Sequence, residues 1–173
     1  MRKDNIRQLD LYLVNHKGLL TKEEEKRYIE LVVEGYGVPE PEDGQAEEPL
    51  PLELLKLHKK LQLKVRDSST EVNRFTINGQ THWYTPDLRA NLRNATDALE
   101  DGHRDSAKFK DIVLPVPLAR AAIFALERYA ADCQNKTDEH AAAIEALETA
   151  EAVEAYDFTT GYPEPLNFDQ MEG

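Results

Sequence analysis

The five histidines and the single cysteine are the side chains of this chain best suited to metal or nucleophilic chemistry. Structural metal sites need such ligands a few positions apart, and no histidine stands three or four residues from another. A single cysteine also excludes an intrachain disulfide. Glycine-rich phosphate loops and the common hydrolase and metalloprotease motifs are missing from the sequence. We therefore predict no catalytic residue, no metal site and no cofactor. The five histidines and the cysteine to which this prediction applies are His16, His58, His82, His103, His140 and Cys133.

Aromatic side chains could instead form a binding surface, and many of them stand near the C-terminus in AYDFTTGYPEPLNF, residues 155–168. Gly161 can adopt backbone conformations closed to other residues, and Pro163 restricts Tyr162 to an extended shape. The segment could close a hydrophobic core or serve as a recognition peptide. Closure of the core is favoured because so many aromatic rings left in water would form an exposed hydrophobic patch that promotes association. The candidates for domain closure or partner binding are Trp83, Tyr129, Tyr156, Asp157, Phe158, Gly161, Tyr162, Pro163 and Phe168.

Length and charge narrow the class of protein. A chain of 173 residues can form one ordinary domain with an appendage. Its formal net charge of −12 would repel the phosphates of nucleic acid. No apolar run approaches the roughly 18 residues of a membrane span, and the N-terminal residues lack the apolar segment of a signal peptide. We expect a soluble protein without a nucleic-acid or membrane partner.

A helical hairpin is predicted for residues 1–38. Apolar residues recur at helical spacing in its first helix, and Thr21 with Glu24 forms a capping-box pattern at the start of the second. Two short helices bury too little surface to be stable alone, so they must pack on the rest of the chain, on a copy of themselves or on a partner. We predict a face for a partner or for self-association at Ile6, Leu9, Leu13, Tyr28, Leu31 and Val32.

An acidic, proline-rich linker is predicted at residues 39–51. It contains four prolines and five acidic residues without a base, so it should remain extended and solvated. Leucines that recur over about four turns then predict a connecting helix within residues 52–72.

A small C-terminal domain is predicted over residues 73–168, followed by a tail at 169–173. Asn78-Gly79 indicates a β-hairpin, and the apolar run before Pro115 indicates one further strand. A long helix follows, and Thr137 and Thr149 are expected to cap later helical stretches. The sequence therefore predicts a helix-rich α+β fold, in which this domain has a β-hairpin, one further strand and three helices.

The C-terminal aromatic residues would then pack on this domain. We expect Tyr156 and Tyr162 to contact the long helix near Tyr129 and the hairpin near Phe75 and Trp83. These two elements offer the richest apolar surfaces of the domain.

The order of residues from 73 to 168 resembles a known family. The matching blocks are Phe75-x-Ile-Asn-Gly, Ala-Leu-Glu-x-Tyr-Ala at 125–130, and Val-Glu-Ala-Tyr-Asp-Phe-Thr-x-Gly-Tyr-Pro at 153–163. This region is similar to domain-of-unknown-function family 4376, which occurs in tail-associated proteins of bacteriophages and prophages. The resemblance implies a phage tail or tail-fibre protein as partner. It also implies the host bacterial cytoplasm during assembly as location, with the virion tail as a second one.

We therefore expect a non-enzymatic bacteriophage structural or assembly protein, associated with the tail or tail fibre, that acts by protein–protein binding. The alternatives are a phage regulatory or host-interaction protein and a small hydrolase that uses carboxylates. A hydrolase would need a polar cleft with acids of shifted pKa. A mimic of nucleic acid would need its acids on one contiguous surface.

Overall fold

The structure is a computed structural model, and it describes residues 2–39, 49–109 and 112–170. The described residues form a mostly helical α+β fold, which confirms the predicted fold class. The helices are α1 Arg2–Asn15, α2 Lys22–Gly37, α3 Leu52–Asp67, α4 Pro86–Asp101, α5 Val116–Ala146 and α6 Ala150–Ala155. The strands are β1 Arg74–Ile77, β2 Gln80–Trp83, β3 Ser106–Phe109, β4 Ile112–Pro115 and β5 Leu166–Asn167, and a 3₁₀ helix, Phe168–Gln170, follows β5.

The chain divides into two compact units. The first unit contains Met1–Ser69 and Thr137–Thr160, and the second contains Thr70–Lys136 and Gly161–Gly173. This division differs from the predicted one, in which residues 73–168 formed a single C-terminal domain. Residues 40–48 of the predicted linker, and residues 171–173 of the predicted tail, lie outside the described residues.

The core of the first unit forms where α1 and α2 pack on α3. Ile6, Tyr28, Leu54 and Leu61 are fully buried there. Burial of each such side chain removes apolar surface from water and stabilises the folded state by about 1.5 to 3 kcal/mol. The predicted N-terminal partner face is not open in this structure, because α3 covers it; the six residues Ile6, Leu9, Leu13, Tyr28, Leu31 and Val32 all belong to this core.

Two local features fix the position of α2. Thr21 forms the predicted capping box: its hydroxyl accepts a hydrogen bond from the Glu24 backbone N–H at 3.2 Å, and the Glu24 carboxylate accepts one from the Thr21 backbone N–H at 3.0 Å. Gly35 lies where α2 approaches α1. A Cβ at Gly35 would stand 2.7 Å from Cδ1 of Ile6, so only glycine leaves room for that buried side chain.

The helices of residues 137–160 complete the first unit, where α6 packs on α3. Thr149 caps α6 as predicted, since its hydroxyl accepts from the Ala152 backbone N–H at 3.2 Å. The predicted cap at Thr137 is wrong, because α5 continues from Val116 to Ala146 without a break. Thr137 is buried, and its hydroxyl donates to the Asp67 carboxylate at 2.9 Å. No glycine or proline stands near Thr137, and the alanines that follow favour an uninterrupted helix.

The second unit contains two small sheets. Strands β1 and β2 form the predicted antiparallel hairpin around Asn78-Gly79, and β5 pairs with β1 in parallel, with Phe75 opposite Leu166. One further strand was predicted at this place, but two strands, β3 and β4, pair antiparallel and form a second sheet. The four residues of β3, SAKF, carry too few apolar side chains to indicate a strand.

Helices α4 and α5 cover these strands with apolar residues. Thr85 caps α4 by accepting from the Leu88 backbone N–H at 3.1 Å. Phe75, Tyr84, Ile112 and Leu126 form the main core cluster of the second unit. A neighbouring cluster contains Val72, Tyr129 and Cys133.

Within the described residues, no helix is both long enough and apolar enough to cross a membrane.

Candidate functional site

The first half of the C-terminal aromatic segment packs within the first unit. The Tyr156 hydroxyl lies 2.8 Å from Nδ1 of buried His140. The Asp157 carboxylate accepts hydrogen bonds from the backbone N–H and the hydroxyl of Thr159 at 2.8 and 2.6 Å, and these bonds hold the pKa of Asp157 below its ordinary value. Phe158 is half-buried, with the Lys59 ammonium 5.5 Å from its ring centre. Tyr156 was predicted to contact the region of Tyr129, but its hydrogen-bond partner is His140.

The second half of the segment packs within the second unit. Gly161 has a φ of +78°, and a Cβ there would stand 2.6 Å from Cε of Lys136. Tyr162 packs against the cluster that contains Tyr129, as predicted. Pro163 beside it is half-buried. This half therefore begins with a residue at positive φ, a backbone conformation that glycine adopts without strain, and this explains why residue 161 is a glycine.

The last described residues hold the β1–β2 hairpin. The Phe168 ring lies 5.8 Å from the Phe75 ring, nearly perpendicular to it. The Asp169 carboxylate accepts from the backbone N–H groups of Asn78 and Gly79 at 2.5 and 2.7 Å. Both turn residues have positive φ, so their N–H groups point the same way and can bind one carboxylate together. This arrangement supports closure of the core by Phe168.

Trp83 ends β2 and is half-buried. Its indole Nε1 is shielded from solvent and has no hydrogen-bond partner among the described residues. Trp83 is therefore neither a fully buried core residue nor an exposed platform for a ligand.

A cavity of about 480 Å³ opens in the first unit between α1, α3 and α6. Its apolar lining comes from Leu9, Leu55 and Val153, and the amide side chains of Asn5 and Gln8 stand on the α1 side. The volume is within the range of roughly 300 to 1,000 Å³ that small-molecule sites occupy. The cavity is therefore large enough to hold a ligand.

A chain of hydrogen bonds lies beneath this cavity. The Tyr28 hydroxyl is 3.1 Å from the Leu9 carbonyl oxygen and 2.9 Å from Nδ1 of His58. The carbonyl can only accept, so Tyr28 donates to it and accepts from His58 Nδ1. Nε2 of His58 is then the acceptor for the Gln62 amide at 3.0 Å. Both ring nitrogens of His58 are used, so neither is available as a general base.

Burial sets the protonation of this chain. It lowers the pKa of His58 to about 4, and the nearby Lys59 charge adds to the effect. Burial also raises the pKa of Tyr28. Neutral imidazole is the state that the hydrogen-bond chain requires, because a protonated Nε2 could not accept from Gln62.

An apolar stripe lies on the outer surface of α2. Ile29, Val33 and Tyr36 expose 43%, 63% and 40% of their surface, and they stand at positions i, i+4 and i+7 of the helix. We call these residues the α2 stripe. Beside it, Lys26 and Glu30 stand three positions before Ile29 and Val33 on the same helix, and their charged groups lie 3.9 Å apart. The α2 stripe is thus an apolar ridge bordered by charged side chains.

A second concave surface lies in the second unit. A groove of about 310 Å³ runs between the β1–β2 turn and the start of α5. Its apolar lining includes Ile77, Leu114, Leu118 and Phe168. Leu118 is 54% exposed there.

The described part of the chain contains no group of three or more histidine, cysteine, aspartate or glutamate residues that could hold a metal ion. Sequence reasoning missed the cavity, because its lining comes from three helices that are distant in sequence. The spacing of His58 and Gln62, four residues apart on α3, was the one local signal of the hydrogen-bond chain beneath the cavity. This spacing does not indicate that Tyr28 and Leu9 complete the chain.

Comparison with known proteins adds no relative: no family model, no curated protein and no solved structure matches this chain.

Proposed function

We propose that this chain is a non-enzymatic bacteriophage structural or assembly protein, associated with the tail or tail fibre, that works by binding another protein. The α2 stripe is the observation that carries the binding part of this proposal. The resemblance of residues 73–168 to a family of tail-associated proteins supports the phage context.

The spacing of the α2 stripe suits a helical partner. Apolar anchors at i, i+4 and i+7 form one line along a helix, which is the pattern read by helix-in-groove and coiled-coil partners. All three side chains are large, and two of them are β-branched, so they lose little rotamer freedom on binding. A partner that covered them would remove this apolar surface from water.

Charged residues next to the stripe favour one docking position. Lys26 lies 3.9 Å from Glu30 on the same helix. Charges at the edge of an apolar contact contribute mainly to specificity and to the rate of association. The expected partner is therefore an amphipathic helix of a tail or tail-fibre protein, with its apolar face on Val33.

The test is co-expression of the tagged chain with the tail and tail-fibre proteins encoded by the same phage or prophage, followed by affinity purification. We expect a tail protein to co-purify with the wild-type chain and to be lost with Val33→Glu. Val113→Glu is the matched control, because Val113 is also a valine exposed by more than half, at 59%, but it lies on β4.

Three results would change the proposal. If neither tail nor tail-fibre proteins co-purify, the tail function is wrong. If both valine variants retain the partner, the α2 stripe is not the binding surface. If the chain alone forms a dimer that Val33→Glu converts to a monomer in light scattering, the occupant of the stripe is a second copy of this chain.

A further inference from the structure

We propose that the cavity between α1, α3 and α6 binds a small, uncharged molecule rich in hydroxyl groups, such as a monosaccharide or a related polyol. This inference is independent of the proposed function, because none of the residues that line the cavity belongs to the α2 stripe.

The hydrogen-bonding groups of the cavity favour hydroxyls. Asn5, Gln8 and Gln62 each present a primary amide, which carries donors and an acceptor side by side. Among the described residues, the side chains of Asn5 and Gln8 have no intramolecular hydrogen-bond partner, so they can bind a ligand without breaking an existing bond. Neighbouring hydroxyl groups are also both donors and acceptors, and an amide can bond to two of them at once.

The charges around the cavity disfavour an ionic ligand. Lys59 and Glu154 are the two charged residues in the lining, so its formal charge is zero. The Lys59 ammonium already donates to the Glu154 carbonyl oxygen at 2.9 Å, and the carboxylates of Glu154 and Asp157 act on it electrostatically. An anion bound to Lys59 would be repelled by those carboxylates, and a cation would be repelled by Lys59. A neutral ligand avoids both penalties.

The remaining surface accommodates the carbon skeleton of such a ligand. Leu9, Leu55 and Val153 supply apolar area, and Tyr12 adds an aromatic ring at the same wall. The Tyr12 ring is itself held edge-on by His58, with ring centres 4.9 Å apart. Because His58 is fixed by Tyr28 and Gln62, the wall exists before a ligand arrives and needs little reorganisation.

The test is a titration of the ¹⁵N-labelled full chain with glucose, N-acetylglucosamine and myo-inositol, followed by backbone amide chemical shifts. We expect saturable shifts at Leu9, Tyr12, His58 and Gln62 for at least one of the three probes, with a Kd of about 1 mM for so small and open a complex. The double variant Asn5→Ala/Gln8→Ala should bind about tenfold more weakly, because it lacks two amide partners.

The matched control is Asn91→Ala/Asn94→Ala, which removes two exposed amides at the same spacing from α4 in the second unit. This control should bind as the wild type does. Sodium acetate serves as the anionic probe and should give no saturable shift at the cavity residues. The proposal is overturned if none of the three polyols saturates, if the α1 double variant binds as tightly as the wild type, or if acetate is the probe that binds.

Discussion

The side chains of Tyr156 and His140 are joined by a hydrogen bond of 2.8 Å, in which the tyrosine hydroxyl donates to Nδ1. The direction follows from the other ring nitrogen, Nε2, which lies 2.9 Å from the Thr160 carbonyl oxygen and must donate to it. His140 is only 5% exposed. The imidazole therefore fixes residues 156–160 to α5 from both of its nitrogens.

Removal of the Tyr156 hydroxyl should destabilise the first unit. In Tyr156→Phe, Nδ1 of the buried His140 loses the tyrosine hydroxyl as a donor while the aromatic ring is kept, so the free energy of unfolding should fall by about 1 to 2 kcal/mol. Urea unfolding followed by circular dichroism measures the change. Tyr36→Phe is the control, because Tyr36 is 40% exposed and should lose less than about 0.5 kcal/mol. Equal losses in the two variants would show that the His140 contact contributes nothing.

The stability of the protein should depend on pH through His58. The folded state holds the pKa of His58 at about 4, below the ordinary value of 6.5. Between these two values the unfolded chain binds a proton that the folded chain does not, so stability is fully present above pH 6.5 and declines as the pH falls towards 4. We expect a loss of about 2 kcal/mol, reduced from the full shift because solvent reaches part of the ring.

The pH dependence can be assigned with two variants. Unfolding free energies of wild type, His58→Gln and His103→Gln are compared between pH 7 and pH 4.5. His58→Gln should be less stable at neutral pH but should show a flatter slope. His103 is exposed, so His103→Gln should keep the wild-type slope. An unchanged slope in His58→Gln would assign the pH dependence to other groups.

Two glycines of α2 should respond in opposite ways to alanine. A Cβ at Gly35 would meet the fully buried Ile6 at 2.7 Å, so Gly35→Ala should overpack the α1–α2 contact and destabilise the fold by about 1 to 3 kcal/mol. No atom lies within 4 Å of a Cβ at Gly37, so Gly37→Ala should be neutral or stabilising by about 0.5 kcal/mol. Thermal unfolding distinguishes the two. Stabilisation by both changes would mean that Ile6 moves aside freely.

Two phenylalanines of the second unit separate core closure from partner recognition. Phe168 packs on Phe75, so Phe168→Ala should reduce the free energy of unfolding by about 2 to 3 kcal/mol. Phe124 is 57% exposed beside Arg120, and Phe124→Ala should reduce it by less than about 1 kcal/mol. If Phe168→Ala keeps the wild-type melting temperature but no longer binds a tail protein, residues 155–168 are a recognition peptide.

Local signals in the sequence were sufficient for most helices and for the first hairpin. Thr21 with Glu24 and Asn78 with Gly79 act over two to four residues, so their structures could be predicted directly. Contacts between distant residues could not be predicted in the same way. The pattern of Ile6 and Tyr28 indicated a buried face, but it did not say whether α3, a copy or a partner would cover it.

Two errors have the same physical origin. Thr137 is a good capping residue, but the hydroxyl found a partner in Asp67, which is 70 residues away, and the helix continued. Tyr156 was assigned to the richest apolar surface, but a buried imidazole offered its hydroxyl a hydrogen bond. In both cases a hydrogen bond of a polar side chain determined the contact. Hydrophobic periodicity carries no information on which polar groups will pair.

The interruption of the first unit by residues 70–136 sets an order of events during synthesis on the ribosome. The first three helices emerge early, whereas the backbone carbonyls that accept from Lys56 and Lys59 belong to Glu145 and Glu154. Helix α3 must therefore wait for more than half of the chain to be translated before its last neighbours arrive. Throughout that interval the nascent polypeptide displays the side of α3 that α6 later covers, and such exposed apolar surface is what molecular chaperones bind.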